Sequence, residues 1–305
     1  MDKLPIIDLA GFPGDEQAFA HVTNEISRAA RGIGFFYLVN HGVPAELMKA
    51  AFAESQAFFA RPTAEKAEIA IEKIGGNRGY SALLREALDP KAGADLKEAF
   101  NIGLDLTPDN PELIAGVPFR TLNAWPKAPA FKTTFLAYFG ACSALANAVH
   151  RAFAQDLGLP RDFFVDKLDK PMATLRMLHY PATADAEIGA GEHTDYGNIT
   201  LLATDDVGGL EVRTRAGDWI VAPPIPGAFV VNIGDCLMRW TNDVYVSTPH
   251  RVVNRSGRER YSIAFFFDPN PEALVAGIPS CGAPRYAPIL AADYLKMRLD
   301  ASVPK

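Results

Sequence analysis

The hydrophobic pattern of the N-terminal part of the chain changes period several times. Leu4 to Leu9 reads as a short strand, and the turn Gly11-Phe-Pro-Gly14 ends it. Asp15 through Arg31 is Ala-rich with helical spacing, and Gly32 suits its C-terminal stop. Ile33 to Val39, dense in aromatic and aliphatic residues, predicts a buried strand. Pro44 to about Ala60 predicts a second helix, with Pro44 suited to its first turn. Gly75 to Gly79 is a loop, and Phe100 to Leu106 a strand. Ala128 to about Leu157 is the longest helical candidate, ended by Gly158 and Pro160. Its Phe131, Phe135, Tyr138, Phe139 and Leu145 recur at helical spacing and are assigned to core packing. From Ala173 onward the pattern turns to short strands separated by frequent turns. There is no internal repeat and no low-complexity segment.

Composition narrows the class. The chain has 305 residues, 49% hydrophobic and 22% charged, which suits a well-filled globular protein of one large domain or two. A net charge of −6 gives no basic footprint, so nucleic acid is not an expected partner. The stretch Met1 to Asp8 lacks both a basic region and a long apolar run, so no secretory signal is expected there. No apolar run approaches the roughly 18 residues that span a bilayer. Cys142, Cys236 and Cys281 are odd in number and far apart, which argues against a disulfide framework. The expectation is a cytoplasmic protein with no membrane partner.

The candidate chemistry lies in the C-terminal half. His193 and Asp195 stand two apart in Gly191-Glu-His-Thr-Asp-Tyr-Gly197. Residues i and i+2 of an extended strand point the same way, so both reach one metal ion from one face. With His250 they supply two imidazoles and a carboxylate, a facial triad suited to non-haem Fe(II) with positions left open. Beyond His250, Arg260 and Ser262 share a strand face. A planar guanidinium beside a hydroxyl suits a carboxylate, since the fork engages both oxygens. Each piece alone has a plainer explanation: a chance His-x-Asp, a surface histidine, an arginine paired with one of 36 acidic residues. Their combination points to an oxygenase whose co-substrate is a 2-oxo acid.

Two sets of segments carry a family resemblance. The C-terminal set is Val230-Val-Asn-Ile-Gly-Asp235, Arg239-Trp-Thr-Asn242, Ser247-Thr-Pro-His-Arg251 and Arg260-Tyr-Ser262. The N-terminal set is Leu4-Pro-Ile-Ile-Asp-Leu9 and Gly34-Phe-Phe-Tyr-Leu-Val-Asn-His-Gly-Val-Pro44. In this order and spacing the chain resembles the 2-oxoglutarate/Fe(II)-dependent dioxygenases of the isopenicillin N synthase-like family. The resemblance implies a mainly β fold with α: a double-stranded β-helix, or jelly roll, with an N-terminal helical region packed around it. It implies one compact unit over 1–305, an N-terminal region at about 1–120 and a jelly-roll core at about 170–275. It also implies Fe(II), 2-oxoglutarate and O2 as cofactors, a small-molecule substrate, and succinate and CO2 as products. Oligomeric state is left open.

The strand Thr174-Leu-Arg-Met-Leu-His-Tyr-Pro181 departs from the family in one place. Members that use 2-oxoglutarate commonly carry Asn two residues before the Tyr of Tyr-Pro. Here Tyr180 is present, as a candidate partner of the distal carboxylate, and Leu178 occupies the Asn position. Alternation puts Arg176 on the face of Leu178 and Tyr180, where it contacts co-substrate or substrate, or forms a structural ion pair. His179 falls on the opposite face. Phe266 is expected to face into the barrel, against substrate or as plain core. Asn232, Gly234 and Asp235 are assigned to a turn, Trp219 and Trp240 to packing, and His41 to backbone bridging. Arg78, Tyr80, Arg85 and Phe100 are offered as substrate-side residues. Two other functions stay open: an iron oxidase of this fold without 2-oxoglutarate, and a non-enzymatic binding protein.

Overall fold

The computed structural model describes residues 3–88, 93–183 and 187–302. Its strands are β1 (Ile6–Asp8), β2 (Phe35–Val39), β3 (Gly79–Ser81), β4 (Glu98–Gly103), β5 (Thr174–Tyr180) and β6 (Glu187–His193). They continue with β7 (Ile199–Thr204), β8 (Leu210–Arg213), β9 (Trp219–Ala222), β10 (Phe229–Ile233), β11 (His250–Asn254) and β12 (Arg260–Phe267). Eight form one sheet in the order β1-β2-β10-β7-β12-β5-β4-β3, and four form a second in the order β6-β11-β8-β9. Strand β1 runs parallel to β2, and the other pairings are antiparallel.

Period-2 alternation gives the large sheet two different faces. Ile263, Phe265 and Phe267 of β12, Leu175 and Met177 of β5, and Leu201 and Val231 point outward into the larger apolar core. That core is completed by helices. Helix Glu16–Gly32 is capped by Asp15, whose side chain accepts from Ala18 N, and buries Phe19, Val22 and Ile26. Helix Pro129–Asp156 buries Phe131, Phe135, Tyr138, Cys142, Val149 and Phe153, and Phe139 meets Phe265 edge-on at 5.0 Å. The inner face, with Leu178, Tyr180, Val230 and Ala264, packs against Ala190, Leu210, Val212 and Val252 of the smaller sheet. The jelly roll is therefore closed by two facing sheets with a second, smaller core between them.

The N-terminal part is more than a helical wrapper. It supplies β1 to β4, so half of the large sheet's strands precede the long helix in sequence. The 98–103 strand begins two residues before the position its local pattern suggests. Pairing with β5, from Glu98 opposite His179 to Gly103 opposite Thr174, sets its ends. That is a tertiary constraint that single-strand periodicity does not carry.

Candidate active site

His193 ends β6, His250 begins β11, and their Cα atoms are direct partners across that ladder. Their rings lie 4.3 Å apart, centroid to centroid. Asp195, two residues past the end of β6, brings Oδ1 to 3.7 Å from Nε2 of each histidine. One ligand atom from each of the three residues falls within 4.8 Å of the others.

The surroundings orient each group. Nδ1 of His193 meets the Gly191 carbonyl at 2.7 Å, and Nδ1 of His250 meets the Thr248 carbonyl at 3.1 Å. A carbonyl only accepts, so each Nδ1 carries the hydrogen and each Nε2 presents a lone pair. Burial and the neighbouring His250 push the His193 pKa well down, which keeps that imidazole neutral. Oδ2 of Asp195 accepts from Asn232 Nδ2 at 2.7 Å and from Thr200 Oγ1 at 2.5 Å, leaving Oδ1 for the histidines' side. Burial raises Asp195, but His250, His193 and these two hydrogen bonds outweigh it and hold the carboxyl below its usual range. Two nitrogen lone pairs and a buried carboxylate oxygen converge, and among the described residues no lysine or arginine is paired with that carboxylate. The donor set fits a divalent cation of intermediate softness.

The sequence assigned Asn232 and Asp235 to a turn, but they act more directly. Asn232 lies on β10, Cα partner of Thr200 on β7, so adjacent strands clamp one carboxylate oxygen. Asp235 donates its backbone N–H to the Asp195 carbonyl and accepts from Thr194 Oγ1 at 2.9 Å. Arg298 of the C-terminal helix pairs with Asp235, fixing the loop from outside.

Arg260 and Ser262 project from the inner face of β12, as alternation requires. Arg260 is fully buried; its Nε donates to the Gly208 carbonyl and its Nη1 to Ser262 Oγ at 3.2 Å. Nη2 is buried without a partner, and no described carboxylate pairs with this arginine. The Tyr180 ring lies 4.6 Å from the guanidinium carbon. Gly189 makes room for that ring, since a Cβ there would overlap it. A buried cation with an unused donor, beside a hydroxyl and a tyrosine ring, fits an external carboxylate.

Other expected residues separate into two groups. Arg176 gives Nη2 to both oxygens of Glu86, at 2.7 and 2.6 Å, so the structural ion pair is what the geometry shows. Glu86 is held down to about 2 despite its burial, by Arg176 first and then by Lys97. Phe266 is half-buried on the inner cluster and is a Cα partner of Thr200. Leu178 lies inward, opposite Ser262. His179 points outward, bonding Glu98 and stacking on Tyr261 at 4.7 Å. His41 bridges backbone, meeting the Gly227 carbonyl and the Val43 N–H. Trp240 is core, and Trp219 carries Arg251 over its ring. Three substrate-side expectations are corrected. Tyr80 and Phe100 face the outer core, on the far side of the sheet, and Arg85 pairs with Glu72 at the surface. Only Arg78 of that group reaches the inner face, where it lies over Gly103.

Sequence reasoning missed Asp95 and Lys97. Lys97 is buried 2.6 Å from Asp95, whose other oxygen accepts from Gly191 N on the strand that ends in His193. Their i,i+2 spacing was the one available signal, and it reads equally well as a charged loop.

Comparison with known proteins agrees with this geometry. Residues 4–128 match the family described as non-haem dioxygenase in morphine synthesis N-terminal, and 171–269 match the 2OG-Fe(II) oxygenase superfamily. A 2-oxoglutarate-Fe(II) type oxidoreductase of Emericella nidulans is 38% identical, over 96% of this chain and 88% of that protein. A homoarginine-6-hydroxylase of Oryza sativa is 34% identical, over 97% and 96%. Among solved structures, a full-length Neurospora crassa protein in complex with alpha-KG superimposes with a TM-score of 0.87 at 35% identity, covering 98% and 96% of the two chains. A 2OG-Fe(II) oxygenase family protein from Caulobacter crescentus gives 0.88 at 33%, covering 99% of each. The chain belongs to the 2OG-Fe(II) oxygenase superfamily and is a non-haem Fe(II)- and 2-oxoglutarate-dependent dioxygenase that oxidises a small molecule.

Proposed function

We propose that His193, Asp195 and His250 hold Fe(II), and that Arg260 and Ser262, with Tyr180 behind them, bind the far carboxylate of 2-oxoglutarate. The bound iron supplies O2 activation, with 2-oxoglutarate as the two-electron reductant that leaves as succinate and CO2. The residues bind and orient. Asn232 and Thr200 fix Asp195, the Gly191 and Thr248 carbonyls fix the two imidazole tautomers, and Arg260 anchors the co-substrate at a distance from the metal. The primary substrate enters beside Phe266, with Arg176 of the neighbouring strand β5 held against Glu86. We place the N-terminal region at about 1–120 and the jelly-roll core at about 170–275. No described helix is long and apolar enough to cross a membrane. The unpaired Cys142 and Cys236 in the core support a reducing compartment, the cytoplasm.

The observation that carries this reading is the orphaned Nη2 of fully buried Arg260, a donor that lacks a carboxylate. The test is anaerobic addition of 2-oxoglutarate to Fe(II)-loaded protein, followed by the metal-to-ligand charge-transfer band. A band in wild type that requires the triad supports the assignment. A protein that binds Fe(II) but develops no band refutes it.

A further inference from the structure

Five lysine or arginine side chains are buried among the described residues: Lys66, Arg78, Lys97, Arg120 and Arg260. Three have a carboxylate partner: Glu98 for Lys66, Asp95 for Lys97 and Glu112 for Arg120. Arg260 has none, because its partner is the co-substrate in the function proposed above. Arg78 is the other exception. Its Nη1 touches only the Asn77 carbonyl at 3.2 Å and Thr174 Oγ1 at 3.5 Å, and its Nε is buried without a partner. The charge that acts on it is Arg120, of the same sign, and burial together with that neighbour lowers its pKa to about 10. It stays charged at neutral pH. An uncompensated buried cation is costly, so a protein retains one where something else completes it.

The position says what that something is. The guanidinium lies over Gly103 on the inner face of the sheet, where a Cβ would overlap it. Gly103, Thr174, Phe266 and Thr200 are successive Cα partners across β4, β5, β12 and β7, and Thr200 holds Asp195. This row therefore runs from Arg78 to the metal triad, past Phe266, over three strand spacings or about 14 Å. Arg260 is at the other end of the same strands, opposite Tyr180, six residues or about 20 Å from Thr174 along β5. Arg78 is too far away to be part of the co-substrate clamp. Two residues before Gly103, Asn101 points to the same face, and its Oδ1 is a second buried atom without a partner. Its amide nitrogen is already given to Asn77.

We propose that Arg78 and Asn101 form the recognition end of the primary-substrate site, and that the substrate is a small organic acid. Its carboxylate pairs with Arg78, a nearby N–H or O–H donates to Asn101 Oδ1, and its carbon skeleton lies along Phe266 toward the triad. This rests on the 2-oxoglutarate reading of Arg260, and the test keeps the two separable.

Anaerobic enzyme loaded with Fe(II) and saturating 2-oxoglutarate is titrated calorimetrically with short aliphatic and aromatic monocarboxylates, each paired with its primary amide. The charge-transfer band is followed in parallel. The expected result is at least one acid that binds on the order of tenfold or more tighter than its amide while the band persists. In Arg78→Gln that preference should disappear, with acid affinity down roughly tenfold to a hundredfold, and Arg78→Lys should restore part of it. The 2-oxoglutarate affinity of both variants should equal wild type. The proposal is overturned if no acid outbinds its amide, if acids bind only by displacing 2-oxoglutarate and abolishing the band, or if Arg78→Gln keeps the preference. If Arg78→Gln fails to fold, the acid-against-amide comparison in wild type decides alone. Absence of the band in wild type before any acid is added would instead indict the Arg260 assignment.

Discussion

The two faces of the large sheet are made by the same strands and obey different rules. On β12, Ile263, Phe265 and Phe267 face outward and are completely buried among apolar neighbours. Arg260, Ser262, Ala264 and Phe266 face inward, where a guanidinium, a hydroxyl and a half-buried ring stand side by side. On β7 the outward set is Ile199, Leu201 and Ala203, and the inward set includes Thr200, the clamp of Asp195. The outer face asks only for volume and apolarity, and many sequences satisfy that. The inner face asks for particular atoms at particular positions. One register holds both together, because a one-residue slip would send Arg260 into the apolar core and Phe265 toward the iron site.

The sharpest way to break the comparison is to remove one of the metal ligands that meet the inner face from β6, β11 and the loop after β6. His193→Ala, Asp195→Ala and His250→Ala should each abolish Fe(II) binding and turnover while the far-UV circular dichroism stays that of wild type. Anaerobic calorimetry with Fe(II) or Mn(II) measures this, and wild-type affinity in the three variants would remove the triad. The matching cut on the other face is Phe265→Ala. Truncating a fully buried phenylalanine should cost about 3–5 kcal/mol of stability in denaturant unfolding. Metal and 2-oxoglutarate affinities of the folded fraction should not change. A large loss of affinity there would mean that the two faces are not separable.

Arg260→Gln comes next. Leaving a buried carboxylate poorly paired costs about 3–5 kcal/mol, so 2-oxoglutarate affinity should fall by about a hundredfold or more. Metal affinity should be nearly unchanged. Ser262→Ala should move in the same direction by less, since one hydrogen bond to a charged group is worth roughly 1.5–3 kcal/mol. Titration of the charge-transfer band measures both, and equal losses for the two variants would argue against a guanidinium-centred clamp.

How far the sequence discloses this arrangement depends on the face. The outer face and its helices were readable, since Phe131, Phe135, Tyr138 and Phe139 recur at helical spacing and pack as that spacing implies. The convergence of His193, Asp195 and His250 and the shared inward face of Arg260 and Ser262 were readable because each pair sits at short, same-face spacing or inside a family motif. Tyr80 and Phe100 were misassigned because alternation fixes which residues share a face, not which face turns toward the helices. That choice is made by pairing with β5. The unpaired state of Arg78, the Glu86 partner of Arg176 and the Asp95–Lys97 contact to β6 were not readable. They join segments far apart in sequence, and ion-pair partners leave no periodicity behind. Asn232 was noticed for its motif, while its hydrogen bond to Asp195 depends on a register between β10 and β7 that no local pattern encodes.

That hydrogen bond gives the smallest and most discriminating test. Asn232 and Val230 lie two apart on β10, both facing inward, one polar and one apolar. Asn232→Ala removes one of the two donors to Asp195 Oδ2 and leaves Thr200 in place, so the carboxylate is less firmly aimed but still bonded. Groups that support a metal ligand typically contribute about tenfold to a hundredfold in affinity. With one donor remaining, Fe(II) affinity should drop by about tenfold, with the 2-oxoglutarate band retained once metal is saturating. Val230→Ala should lower stability through lost packing and leave metal affinity as in wild type. Adding Thr200→Val to Asn232→Ala should cost more than the sum of the two single changes, because the second removal strips the last bond from a buried oxygen. Simple additivity, or equal metal affinity in Asn232→Ala and Val230→Ala, would show that Asn232 only fills space on the inner face and that its contact with Asp195 carries no functional weight.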